Sequence, residues 1–189
     1  MKAKLKNIAS IHTGTHAQTE INGDIIYLHV KHFNEHGQLR SKLIPDVLKE
    51  SISERHLLQN GDILFAAKGT KNFATWYEAK NSPAIASTSF FIIRITENFR
   101  EKLIPEYLVW FINQPVTQNY LKGNAFGTSI ASIPKSVLGE LEILIPDINT
   151  QRSVINISRL RNTEKDLIHQ LENLKESQIQ QQLLNAIKQ

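Results

Sequence analysis

The sequence predicts an α+β fold that ends in one long helix, and three observations carry this. Short strand-like runs are separated by long irregular stretches. Few helical segments lie between them. The last part of the chain, residues 147–189, is a single uninterrupted amphipathic pattern without glycine.

The elements follow in order. Residues 25–30 (Ile-Ile-Tyr-Leu-His-Val) come after the turn signal Asn22-Gly23, and residues 62–66 (Asp-Ile-Leu-Phe-Ala) after Asn60-Gly61. Residues 89–95 are rich in β-branched and aromatic side chains, and the cluster Phe90, Phe91, Ile92 and Ile93 suits a buried strand. Residues 141–145 alternate and stop at Pro146. A helix is predicted over 104–113, with Pro105 in its first turn, where the missing N–H is harmless. Residues 116–121 predict a shorter one.

The terminal helix is expected to start near Asn149 or Thr150, either of which can cap it. Ile157, Leu160, Leu167, Leu171 and Leu174 recur at spacings of 3, 7, 4 and 3, a seam of the coiled-coil type that Glu164 interrupts. After Leu174 the phase slips, and Ile179, Leu183, Leu184 and Ile187 continue the stripe. The slipped, glutamine-rich second half favours a short antiparallel pairing over a long parallel zipper. Such a helix is about 55–60 Å long, against a radius of gyration of about 15 Å for the remaining domain. Two domains are therefore expected, 1–146 globular and 147–189 helical, with the helix extending beyond the first and offering its stripe to a partner. The alternative is a helix folded back on its own domain.

Composition bounds the function. Of 189 residues, 41% are hydrophobic, which excludes global disorder. There is no cysteine, so disulfides and thiolate metal sites are excluded and a cytoplasmic location is expected. The basic N-terminus has no apolar run behind it, and no stretch approaches the roughly 18 apolar residues needed to span a bilayer. No membrane role is expected. Net charge is +4 with a pI near 9.3. Residues 1–146 hold 16 Lys and Arg against 13 Asp and Glu, and residues 147–189 hold 6 against 5. A polyanion is thus expected at the globular part and a protein partner at the helix.

Two loops carry candidate binding chemistry. In the first, Lys68-Gly69-Thr70-Lys71-Asn72 follows a strand. Its lysines offer charge to phosphates, Gly69 permits close backbone approach, and Thr70 and Asn72 add hydrogen-bonding groups. The second, residues 123–135, holds Gly127, Thr128 and Ser129, with an apolar rhythm at Ile130 and Ile133 and with Lys135 at its end. Read alone, the first is a solvated loop more often than a binding loop, and the second has the alternative of a connector that packs two isoleucines. His29, His32 and His36 with Lys31 suggest phosphate contact more than a metal site, because Glu35 lies at the wrong spacing for a shared face. Asp62, Glu78 and Lys80 echo the carboxylate–lysine pattern of metal-dependent nucleases, although Glu78 stands beside a turn. The glycine-rich nucleotide loops and the nucleophile elbow are missing, so the chain does not read as an enzyme and no cofactor is expected.

Taken in order, the motifs resemble the specificity (S) subunits of type I restriction–modification systems. They are the opening Leu5-Lys6-Asn7-Ile8-Ala9-Ser10-Ile11-His12-Thr13-Gly14, Asn60-Gly61-Asp62-Ile63-Leu64-Phe65, Lys68-Gly69-Thr70, Ile104-Pro105-Glu106-Tyr107-Leu108, Gly127-Thr128-Ser129, and Leu141-Glu142-Ile143-Leu144-Ile145-Pro146 before Gln151-Arg152. The chain departs from that pattern at Ala66-Ala67 and at Asp147, where a second proline is frequent.

The resemblance implies a globular target-recognition domain with a small mixed sheet, followed by a helix that pairs in an antiparallel coiled coil. It implies a non-catalytic half subunit that reads one half of a split target in double-stranded DNA. Two copies would form a homodimer, and the methyltransferase (M) subunit would dock along the helices, with the restriction (R) subunit joined through it. Lys31, Arg40, Lys42, Lys68, Thr70, Lys71, Asn72, Thr128, Ser129 and Lys135 are the expected DNA contacts. Ile157, Leu160, Leu167, Leu171, Leu174, Ile179 and Leu183 are the expected helix contacts. Other readings stay open: an interaction module that touches no DNA, a fragment of a longer subunit, or a nuclease built on Asp62, Glu78 and Lys80.

Overall fold

The computed structural model describes residues 1–34, 37–69, 72–78, 83–127 and 131–187. The chain opens with β1 (Lys2–Lys4), the one-turn helix α1 (Leu5–Ile8) and β2 (Ala9–Thr13). Next come β3 (Ile26–Leu28) and three 3-10 turns at Val30–His32, Lys49–Ser51 and Glu54–His56. β4 (Ile63–Ala66), β5 (Ala74–Trp76), β6 (Ala84–Ala86) and β7 (Phe90–Ile95) make up the middle. Helices α2 (Glu97–Arg100), α3 (Pro105–Ile112), α4 (Pro115–Gly123) and α5 (Lys135–Glu140) follow. β8 (Glu142–Leu144) then leads into α6 (Ile148–Ala186). The fold class is α+β, as expected. The chain divides into two units, Met1–Gln151 and Arg152–Gln189.

The main sheet is antiparallel throughout, in the order β2-β7-β4-β5. Every residue of β4 is buried, because the sheet is covered on both faces. On one face Leu64 and Ala66 of β4 join Phe90 and Ile92 of β7 in a cluster with Leu28, Phe33, Phe73, Ala84 and Ala86. The parallel pair β3–β6 supplies three of those residues and lies over this face. Alanines at 84 and 86 leave room for the Phe33, Phe73 and Phe90 rings, whose centroids lie 5.7–6.2 Å apart. On the other face, a Cβ added to Gly139 of α5 would stand 3.9 Å from Ile11 Cδ1. Asn113, at the end of α3, exchanges two hydrogen bonds with the backbone of Ala74 (2.7 and 2.8 Å). That amide occupies the outer edge of β5 as a further strand would.

β1 pairs with β8 and ties the start of the chain to the segment before α6. Lys2 bridges Glu142 at 2.5 Å, and Lys4 and Lys6 share Glu140, whose carboxyl they hold down at about 2.

Several expected boundaries move. The strand expected over 25–30 covers only Ile26–Leu28, because His29 already caps the turn Val30–His32. The helix expected over 104–113 is Pro105–Ile112 with Pro105 in its first turn, and that over 116–121 is Pro115–Gly123. The cap of α6 is neither Asn149 nor Thr150. Asp147 Oδ1 accepts the N–H groups of both (3.0 Å each), and Asp147 Oδ2 accepts the Thr150 hydroxyl at 2.6 Å. The Thr150 hydroxyl is the main reason the Asp147 carboxyl is held below its ordinary range. The residue that breaks the expected proline pattern is thus the one that starts the helix. Strands β1, β5 and β6 have three residues each, too few for alternation to register in the sequence.

Candidate functional site

The register of the main sheet defines two ends. Thr13↔Phe91, Ala66↔Phe90 and Phe65↔Ala74 mark one, and Ala9↔Ile95 and Ile63↔Trp76 mark the other.

At the first end three loops converge. Residues 67–69 leave β4 and pair with residues 131–133: Gly69 N donates to Ala131 O (3.1 Å) and Ile133 N to Ala67 O (2.9 Å). The two loops singled out in the sequence are therefore one structure. Phe126 and Ser132 exchange two more hydrogen bonds (2.9 and 2.8 Å) and close the second loop on itself. The third loop, residues 29–40, is anchored by Phe33 in the aromatic cluster and by Arg40. Arg40 N donates to His32 O and Arg40 Nε to Phe33 O (2.9 and 3.0 Å). Gly37, at φ +74°, lies so close to β5 that a Cβ would stand 2.9 Å from Ala74 O. Gly14 closes the end of β2 in a similar way: a Cβ there would meet Ser87 O at 2.2 Å.

The expected contacts distribute as follows. Lys31, Lys68 and Lys135 are exposed, on the 29–40 loop, the 67–69 segment and the first residue of α5 respectively. Arg40 and Lys42 are exposed too, on the chain that leaves the third loop. Asn72 turns inward and donates its amide to Ala66 O at 2.8 Å. Thr70, Lys71, Thr128 and Ser129 lie outside the described residues, as do Glu35, His36, Lys80 and Ile130. One exposed residue was not singled out in the sequence. Phe126 is 70% exposed, while Phe33, Phe65, Phe73 and Phe90 are buried. Its signal was a lone aromatic inside a run of small residues, Asn124-Ala125-Phe126-Gly127.

The histidines hold the loop together. His29 N donates to His32 Nδ1 (3.3 Å), and the His29 ring lies 4.2 Å from Tyr27 and 5.5 Å from His32. Burial, then the charge of Lys31, lowers the pKa of His29. Burial, then the neighbouring His29 and Lys31, lowers that of His32.

The other end of the sheet is structural. Asp62 is 1% exposed. Arg94 Nε and Nη2 donate to its two oxygens at 2.7 Å each, and Gln59 N donates to Oδ2 at 2.8 Å. That bidentate pair raises the Arg94 pKa. With its charge matched and its oxygens already accepting three bonds, Asp62 has little to offer a metal ion. This removes the central ligand of the nuclease reading. Gln151 is fully buried. Its Nε2 donates to Lys102 O (2.7 Å) and Pro146 O (2.9 Å), and its Oε1 accepts Ile104 N (2.9 Å). One amide thus ties the first turn of α6 to the segment that enters α3. The three converging loops and the root of α6 stand at opposite ends of the sheet, since Gly61 beside Asp62 faces Pro105 of α3 (3.4 Å from a built Cβ to Pro105 Cγ).

Along α6 every residue from Arg159 to Ala186 is exposed. Ile157, Leu160, Leu167, Leu171, Leu174, Ile179 and Leu183 are each at least half exposed, and so is Ile168, which the expected seam omitted. Among the described residues, no helix is long and apolar enough to cross a membrane.

No family model matches this sequence, and no curated protein matches it. Solved structures do share its fold. The type I restriction–modification S subunit from M. genitalium superposes with a TM-score of 0.59 at 16% identity, over 86% of this chain and 39% of that one. The HsdS subunit from Thermoanaerobacter tengcongensis gives 0.59 at 13% identity, over 87% and 37%. A chain from a structure of type I restriction–modification complex assembly and conformational transition gives 0.61 at 13%, over 88% and 39%. The chain has the fold of type I specificity subunits, and it spans about two fifths of the length of the solved chains it matches.

Proposed function

We propose that this chain is a non-catalytic DNA-specificity unit of a type I restriction–modification enzyme, reading one half of a bipartite target in double-stranded DNA. The fold likeness over 86–88% of the chain carries the reading. The convergence of three polar loops at one end of the sheet supports it, since loops held by a rigid scaffold can vary in what they read. Lysines on those loops neutralise phosphates and hold the unit in register, while Thr128, Ser129 and their neighbours face base edges in the major groove. The exposed stripe on α6 pairs antiparallel with a second helix and offers a seat to the methyltransferase subunit, through which the restriction subunit joins. If that second helix is another copy, the dimer is two-fold symmetric and the target consists of inverted half-sites separated by unread base pairs.

The test is duplex binding by the Lys68→Ala/Lys71→Ala variant, measured as a function of salt. Affinity should fall for all sequences alike. The slope of log K against log salt should flatten by about one unit per lost phosphate contact. Unchanged affinity with an unchanged slope would remove these lysines from the interface. The nine large exposed apolar residues of α6 also fit an interaction module that binds protein alone; affinity for a methyltransferase subunit with none for any duplex is the outcome that favours it.

A further inference from the structure

We propose that Phe126 is a wedge that inserts into a base step of the duplex while Lys68 holds the neighbouring phosphate. This rests on the DNA-binding reading above and adds a specific contact to it.

The geometry comes from the bridges between the two loops. Lys68 stands opposite Ser132 in a narrow, non-hydrogen-bonded pair, flanked by the bonds Gly69 N to Ala131 O and Ile133 N to Ala67 O. Phe126 stands opposite Ser132 on its other side in a hydrogen-bonded pair. Directly opposed residues of an antiparallel ladder point to the same face. Lys68, Ser132 and Phe126 therefore form one row. The neighbours on the reverse face, Ala67 and Ile133, are 2% and 0% exposed, so the row itself points outward. The row covers two strand spacings, about 9–10 Å, close to the roughly 8 Å depth of a DNA groove. An aromatic ring at one end and an ammonium at the other match a base stack and its phosphate rim.

A large apolar ring left in water gains when it enters an apolar or stacked environment. The backbone of Phe126 is already pinned by two hydrogen bonds, so little ordering is needed to use it. A cation in the same row selects a polyanion over an uncharged apolar partner. Apolar wedges act between base steps, and pyrimidine–purine steps unstack most easily. The proposal is thus a preference for such a step at a fixed place in the half-site.

The experiment is selection of bound sites from a random-sequence duplex pool by the full chain, followed by affinity measurement and 2-aminopurine fluorescence on the selected site. Wild-type protein should enrich a pyrimidine–purine step and brighten a 2-aminopurine placed within it. Phe126→Ala should lose that preference and the brightening, weaken binding to the selected site by about ten- to a hundredfold, and keep the wild-type salt slope. Phe126→Trp should retain the preference, and Phe126→Leu should fall between. Lys68→Ala should do the reverse of Phe126→Ala: a flatter salt slope with the step preference kept. The exposed ring carries no core packing, so equal thermal midpoints identify folded variants. If Phe126→Ala enriches the same sites with the same affinity, the wedge is wrong and the DNA reading survives. If the wild-type chain binds no duplex at low salt, the DNA reading fails and takes the wedge with it.

Discussion

At the scale of single residues, the buried side chain of Gln151 is there to satisfy backbone. Gln151 serves one N–H and two carbonyls with a single amide. Gln151→Leu keeps a similar volume but strands those three groups, and each costs about 1–3 kcal/mol when buried without a partner. The expected loss is about 3–5 kcal/mol, read as a lower denaturation midpoint at an unchanged slope. Gln151 and Gly14 were visible in the sequence only as letters of a pattern; the three bonds and the 2.2 Å approach to Ser87 O give them physical reasons. His29 and His32 supply a pH dependence. Their folded pKa values lie below the ordinary 6.5, so the unfolded chain takes up protons first as pH falls. Their contribution is full above about pH 6.5 and is lost as pH drops through the lower folded values. A protonated His32 Nδ1 can no longer accept the His29 N–H. Both residues are only partly buried, so the effect should be local. Protection of the His29 and Arg40 amides, relative to the intrinsic exchange rate at each pH, should fall between pH 7 and 5, while the buried strand residues Leu64 and Ile92 keep theirs. Equal protection of loop and strand over that range would contradict it.

At the scale of elements, length and covering decide what a pattern becomes. The strand over 62–66 and that over 89–95 were legible because each is long, apolar and rich in β-branched or aromatic side chains. β6, Ala84–Ala86, was not, because alanine has little preference for strands and is there to make room for aromatic rings. The terminal helix was legible along its whole length, but its cap was misassigned. Asn149 and Thr150 are capping residue types, yet both are donors to Asp147, which starts the helix one turn earlier in the chain. The stripe on α6 also gains a member. Ile168 lies eleven residues from both Ile157 and Ile179, about three turns each way, so one row continues through the apparent slip after Leu174. A long helix with so little burial depends on pairing to stay helical. The expected mass in solution is about 43 kDa, twice the chain's 21.5 kDa. Leu167→Glu with Leu171→Glu should return it to a single chain and lower its helicity, as read by sedimentation and circular dichroism. A strict monomer at high wild-type concentration would count against self-pairing and point to a separate partner half.

At the scale of the whole molecule, the globular unit divides its work between two ends of one sheet. Loops with exposed lysines gather where β4, β5 and β7 meet, and the Asp62–Arg94 pair and the Gln151 amide lock the other end, where α6 begins. The loop end can then vary in sequence without disturbing the root of the helix. The sequence by itself determined the α+β class, the main buried strands, the long terminal helix with its apolar stripe, and the two candidate loops. Those are local properties, carried by periodicity, turn residues and charge that neighbours in the chain already express. Only the tertiary structure decided that the two loops are hydrogen-bonded into one surface, that Asp62 is neutralised by a residue 32 positions away, and that Phe126 points outward in one row with Lys68. Each of these depends on contacts between distant segments, which the packing of the sheet creates and no local pattern encodes.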